Sequence, residues 1–325
     1  MTARIPLASL LLSATLCGCL AACSGGEGEA AVLDGELARA GGAAAAGAAD
    51  SVCTRAGPDV DLPREMRESS GLALGQGGRV LWTHNDAGNE PELFAIAPDG
   101  RFLGRSRLIG ASLVDWEDIE AAPCGQESCL WVGDIGDNDG ERDHITVYRV
   151  VEPRPGADAS VAALHARYPD GPRDAEALFA GPDGDLYVVT KGRRAPIALY
   201  RWPASIGAGQ VTLEHVRDLF PEPDDESDRV TAATASPAGD RVAIRTYRTV
   251  HVYPMQPLIS GAPVRPASID LSFLGQAQGE AIALGADGAV WLTSEAEDGG
   301  APRLTRLRCR SRPRAGRGSR RPARR

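Results

Sequence analysis

Carboxylates stand in this chain where short apolar strands begin and end. The densest case is Asp115 to Asn138, DWEDIEAAPCGQESCLWVGDIGDN. Related openings follow at Asp174-Ala-Glu-Ala-Leu-Phe-Ala180 and Gln278-Gly-Glu-Ala-Ile-Ala-Leu284. If the fold gathers these positions, Glu117, Asp134, Asp137, Glu176 and Glu280 supply oxygen ligands in a concave acidic site. That chemistry suits Ca²⁺ first and Mg²⁺ next. The competing reading is that each carboxylate caps backbone N–H groups of a neighbouring unit. Four further residues have the chemistry of catalysis. His84, in WTHNDAGN beside Asp86, has the character of a general base or of a histidine hydrogen-bonded into its loop. Lys191 is the single lysine of a chain that otherwise uses arginine. Its point charge fits an anionic group or a salt bridge with Glu176. Arg245, close to Tyr247, has the same two readings. There is no G-x-S-x-G elbow, no H-E-x-x-H and no zinc-type cysteine spacing, which argues against serine hydrolases and zinc proteases.

The elements that must position these residues are visible as a repeat. Its five openings are Glu68–Ala73, Asp115–Ala121, Asp174–Ala180, Asp228–Ala235 and Gln278–Leu284, spaced by roughly 45–60 residues, as in solenoids and propellers. After four of them comes a Gly- and Asp-rich turn (GQGGR, GPDGD, SPAGD, GADGA), and each leads to a second strand rich in branched and aromatic residues. Third strands follow (ELFAIAP, ITVYRVV, IALYRWP, TVHVYPM, PRLTRLRC), and weaker fourth strands near 101–109, 160–167, 210–219 and 264–271. The expected fold is therefore all-β: a propeller of four-stranded blades, five by this count with six as the alternative. The last repeat lacks a fourth strand, which the segment from Val52 to Leu62 supplies by closing the ring and hiding its edges. First strands line the channel of such a ring, bringing Ser70, Glu117, Glu176, Thr231 and Glu280 together.

The ends have other characters. Residues 1–23 carry one charge at Arg4, then the apolar run IPLASLLLSATLCGCL, which is a signal-peptide pattern. Residues 24–50 are Gly-, Ala- and Glu-rich and read as a flexible tether; 51–309 form the propeller; 310–325 are an Arg-rich tail expected to be disordered. Net charge is −9 despite that tail, so the middle is acidic and a nucleic-acid partner is not expected. Of seven cysteines, Cys17, Cys19 and Cys23 lie in the first segment. Cys124 and Cys129 flank a hairpin loop and should pair, leaving Cys53 to pair with Cys309 across the join, as an exported chain permits.

Two resemblances add to this. Leu20-Ala21-Ala22-Cys23 resembles the lipobox of bacterial lipoproteins, which implies lipidation at Cys23 and anchoring to a membrane surface without spanning it. Ser24 after it suits the outer membrane if the envelope is Gram-negative. WTHNDAG (82–88), DWEDIEA (115–121), GDIGDN (133–138), DAEAL (174–178), VVTKG (188–192), RVTAA (229–233), RTY (245–247) and QGEAIAL (278–284) together resemble a family of exported bacterial β-propeller lipoproteins, over about 68–296. A more distant likeness is to phytase-like esterase and SMP-30/gluconolactonase-type propellers, which implies Ca²⁺ chemistry, although those have six blades. The expectation is an extracytoplasmic, lipid-anchored monomer that binds a small-molecule or protein ligand at its channel face. The alternative is a Ca²⁺-dependent hydrolase of phosphoesters or lactones. There, Glu117, Glu176 and Glu280 hold the metal, Lys191 and Arg245 stabilise developing charge, and His84 or Asp86 moves protons.

Overall fold

A computed structural model describes residues 51–203, 210–276, 278–296 and 300–311. Cys23, the segments 1–23 and 24–50, and residues 312–325 of the tail lie outside the described residues.

Five antiparallel sheets follow one another along the chain, one per repeat, so the blade count is five. Blade 1 runs from its inner strand Ser69–Leu74 through Leu81–Asn85 and Glu92–Ile96 to Phe102–Ile109. Blade 2 comprises Trp116–Cys124, Glu127–Asp134, Ile145–Val151 and Ala162–Arg167. Blade 3 comprises Ala175–Ala180, Leu186–Thr190, Ile197–Trp202 and Glu214–Phe220. Blade 4 comprises Val230–Ala235, Arg241–Thr246, Thr249–Pro254 and Ala267–Asp270. Blade 5 has three sequential strands, Gly279–Leu284, Ala289–Ser294 and Arg303–Ser311. Its fourth is the N-terminal strand Ser51–Arg55, paired antiparallel with Arg303–Ser311. The starts of two expected fourth strands pair with the preceding blade instead. Ala159–Ser160 adds in parallel to the edge of blade 1, and Val211–Thr212 to the edge of blade 2.

Cys53 and Cys309 are directly opposed in the closing ladder and are disulfide-bonded across 256 residues of chain; Cys124 and Cys129 are bonded across the blade 2 hairpin. Replacing Cys53 and Cys309 by Ser should lower stability by about 2–4 kcal/mol, because the unfolded chain regains the freedom of a very long loop. Denaturant unfolding of the double variant checks this, and an unchanged midpoint would show the ladder alone closes the ring.

Five apolar cores lie between adjacent blades. Equivalent positions of the second strands point into them: Trp82 and Trp291 are buried, Trp131 packs against its core, Tyr187 is buried, and blade 4 has Ala243. A large ring at this position fills the wedge that opens between two twisted sheets as they diverge from the axis.

Candidate functional site

Each inner strand begins with a bulge. The ladder to the second strand shifts register between Ser69 and Leu72, Trp116 and Asp118, Ala175 and Ala177, Val230 and Ala232, and Gly279 and Ile282. A bulge leaves one residue unpaired and re-aims it. The residues so released are Ser70, Glu117, Glu176, Thr231 and Glu280, the five expected at the channel, and all are buried. Two of them tie blades together through backbone carbonyls. Ser70 Oγ donates to Glu117 O at 2.8 Å, and Thr231 Oγ1 to Glu280 O at 2.7 Å.

One step deeper, four blades carry Gly71, Ala177, Ala232 and Ala281, and the fifth carries Asp118. The small residues make room for that side chain to cross the axis. Asp118 Oδ2 accepts from Leu178 N at 2.8 Å on blade 3 and from Ala233 N at 2.9 Å on blade 4, while Oδ1 accepts from Ile119 N at 2.9 Å. Burial pushes its carboxyl up, against these three donors. Gly71 cannot be enlarged here, since a Cβ would lie 2.6 Å from His84 Nε2 and 2.7 Å from Ile119 N. The channel is therefore stoppered, and its polar mouth is a bowl. Asp118 was missed as a site residue, although its signal was present: it is the one acid in a column of Gly and Ala.

At the bowl, oxygens of Asp86, Asp115 and Glu117 lie within 4.8 Å of one another. Asp115 was not expected; it precedes the strand and enters the bowl through the loop that hydrogen-bonds back onto it. The N–H groups of Ile135 and Gly136 donate to Asp115 O at 3.1 and 3.2 Å. Gly136 lies so close that a Cβ would come 2.3 Å from Glu117 Oε1 and 2.4 Å from Asp115 Oδ2. Burial and mutual repulsion push the acids up. Asp115 is raised to about 6, with Asp86 and Asp174 adding to burial, and Glu117 is raised well above the usual range by burial, Glu176, Asp86 and Asp115. Glu280 is raised to about 7 and Glu295 to about 6, again by burial first.

Lys191 answers this charge. Its ammonium pairs with Glu176, and although burial opposes the charged form, Glu176 and Glu117 hold it protonated. Tyr247, half-buried, feels the same group: its hydroxyl is raised by burial, Glu280 and Glu176.

The remaining expected residues are placed elsewhere. The Asp134 and Asp137 carboxylates serve the loop. Asp134 accepts from Asp115 N at 3.1 Å and pairs with Arg142 at 2.8 Å, and Asp137 accepts from Glu141 N at 2.9 Å and Arg142 N at 3.1 Å. The capping reading thus describes these two. His84 is fully buried, edge-on to Trp116, with Nδ1 3.0 Å from Asn85 O; burial lowers its pKa to about 4. It is a neutral wall residue with no open face to the bowl. Arg245 is fully buried as a strap between blades, donating to Ala281 O at 2.6 Å, Thr293 O at 2.9 Å and Gln276 Oε1 at 2.8 Å. Burial lowers its pKa to about 10. Gly279 admits it, since a Cβ there would meet Nη2 at 1.9 Å.

The raised carboxyls set a pH dependence. The folded state keeps protons on Asp115, Glu280 and Glu295 that the unfolded chain releases near pH 4, so their contribution is lost as pH rises through about 6–7. In EDTA the melting temperature should fall from about pH 5 to about pH 8. A rise over that interval would mean the acids are ionised and compensated at neutral pH.

No family model matches the chain, and no curated protein does. Solved structures do. The major allergen Mala s 1 of Malassezia sympodialis is 12% identical, with 78% of this chain and 96% of that chain covered and a TM-score of 0.53. The PQQ-bound aldose sugar dehydrogenase of Streptomyces coelicolor is 12% identical, over 81% and 99%, with a TM-score of 0.48. A gluconolactonase from Xanthomonas campestris is 17% identical, over 79% and 91%, with a TM-score of 0.43. At such identities the likeness is one of fold, a β-propeller.

Proposed function

We propose that the protein is an exported, lipid-anchored monomeric propeller that holds a divalent cation at Asp86, Asp115 and Glu117 and uses it to bind a ligand at the bowl. The observation that carries this reading is the convergence of those three carboxylates, all raised in pKa, with the backbone of Gly136 packed against two of them. An all-oxygen, partly exposed donor set fits Ca²⁺ or Mg²⁺ rather than zinc, whose sites are built mainly on histidine and cysteine. A bound cation would supply a Lewis-acidic point for an oxygen-bearing ligand. Around it, Lys191 presents a positive charge for an anionic group and Tyr247 a hydroxyl. In this reading, lipid attachment at Cys23 would hold the bowl outside the cytoplasm.

Calorimetric titration of Ca²⁺ into the metal-free protein tests the reading, with Asp115→Asn alongside. The wild type should bind one ion, and the variant at least tenfold more weakly with its fold kept, because the amide keeps the shape of the carboxylate and removes the charge. Absence of binding at millimolar Ca²⁺ and Mg²⁺ would remove the proposal.

A second reading, a Ca²⁺-dependent hydrolase of phosphoesters or lactones, is favoured by Glu280. Its carboxyl titrates at about 7, near Glu295, Lys191 and Tyr247, where a group that gives and takes a proton at neutral pH should titrate. Under it, Glu280→Gln abolishes Ca²⁺-dependent turnover while Ca²⁺ binding persists. Binding without turnover of any phosphoester or lactone leaves the first reading alone.

A further inference from the structure

The wedge between blades 4 and 5 is built differently from the other four. Where they place Trp82, Trp131, Tyr187 and Trp291, blade 4 places Ala243. The turn before it differs as well. In blades 1, 3 and 5 the turn opens with Gly75, Gly181 and Gly285. A Cβ on these would lie 3.1 Å from the Trp82 ring nitrogen, 2.7 Å from the Tyr187 ring and 2.9 Å from the Trp291 ring. These glycines let a carboxylate and the ring both lie close, and blade 2 holds Trp131 without one. Blade 4 has Ser236 instead, its Oγ turned to Asp240 Oδ1 at 2.7 Å. Blade 4 is thus the one blade without the ring.

What remains is a cavity of about 470 Å³ on the face away from the acidic bowl. Its walls are Val250, Val252, Ile269, Leu284 and Leu307, with Ala243 at its base and the Cys53–Cys309 bridge at its side. Arg241 and Arg310 stand at its lip with Asp240, which pairs with Arg241 at 3.5 Å. That size suits a small organic ligand, and an apolar cavity is occupied more favourably by an apolar group than by water.

We infer that this slot between blades 4 and 5 is a second binding site, for a small molecule with a flat aromatic ring and one carboxylate. The ring takes the place that an indole or phenol side chain has in the other wedges. The carboxylate reaches the arginines of the lip, which outnumber the single acid there.

The test is calorimetric titration of indole-3-acetate into the full chain, with decanoate as the unringed comparison. The wild type is expected to bind one indole-3-acetate and to bind decanoate at least tenfold more weakly. Ala243→Trp, which restores the internal ring, should weaken indole-3-acetate binding at least tenfold and melt no lower than the wild type. Val252→Phe, beside Ala243 on the adjacent strand of blade 4, fills the slot if Ala243→Trp does not fold. Arg241→Gln should weaken indole-3-acetate severalfold and leave uncharged indole unaffected. No binding by the wild type, or equal binding by the filled variants, overturns the site. Equal binding of decanoate overturns its assignment to a ring. None of these results depends on whether the bowl holds a cation.

Discussion

Replacing Glu117 by Gln is expected to abolish the rise in melting temperature that Ca²⁺ gives the wild-type protein, and to raise the melting temperature in EDTA. The first effect follows from mass action. A cation that binds only the folded state at 100 times its Kd stabilises by about 2.7 kcal/mol, or roughly 5 °C for a domain of this length. Gln keeps the shape of the side chain and removes the charge the ion needs. The second effect comes from the pKa of Glu117, which burial, Glu176, Asp86 and Asp115 all push up. Ionising it in the empty bowl is costly, so a permanently neutral group relieves the fold. Scanning calorimetry with EDTA and with Ca²⁺ reads both. A variant that keeps the full Ca²⁺ response would place the ion elsewhere, and one destabilised in EDTA would mean Glu117 serves as a capping carboxylate.

Asp118→Ala should cost about 4 kcal/mol or more, the largest loss expected of any substitution at the channel. The side chain satisfies N–H groups of Ile119, Leu178 and Ala233, on three different blades, and is itself fully buried. Removing it leaves three buried donors bare and a void on the axis, each of which costs on the order of 1–3 kcal/mol. Asp118→Asn should recover only part of the loss, since an amide nitrogen turned to any of these donors opposes it. Urea unfolding of the three proteins gives the comparison. A loss under about 1 kcal/mol for Asp118→Ala would mean that water or a shift of the strands replaces the carboxylate.

The repeat carried most of the architecture in legible form. Opening acids, Gly-rich turns and the absent last strand gave the ring, its closure and both disulfides, because local patterns decide strands and hairpins. The five bulge residues were legible for the same reason. Asp115 was not, because it lies before the strand and reaches the bowl only through the 134–142 loop. The roles expected of His84 and Arg245 rested on their types and strand ends. What admits them to the interior is a glycine packed against each, Gly71 for one and Gly279 of the next blade for the other, and such pairings have no local signature. Asp134 and Asp137 are acids of the right kind whose carboxylates accept from nearby backbone N–H groups and, for Asp134, from Arg142.

The closing ladder also sets the face at which both ends of the chain leave the ring. Ser51 and Ser311 are partners at one end of it, and the third strand of blade 5 reaches that end by running away from the bowl. Both ways out of the ring therefore leave by its back. The rim that carries the carboxylates is thus clear of both chain ends, and the ring is fastened at the opposite face, where Cys53 and Cys309 are bonded.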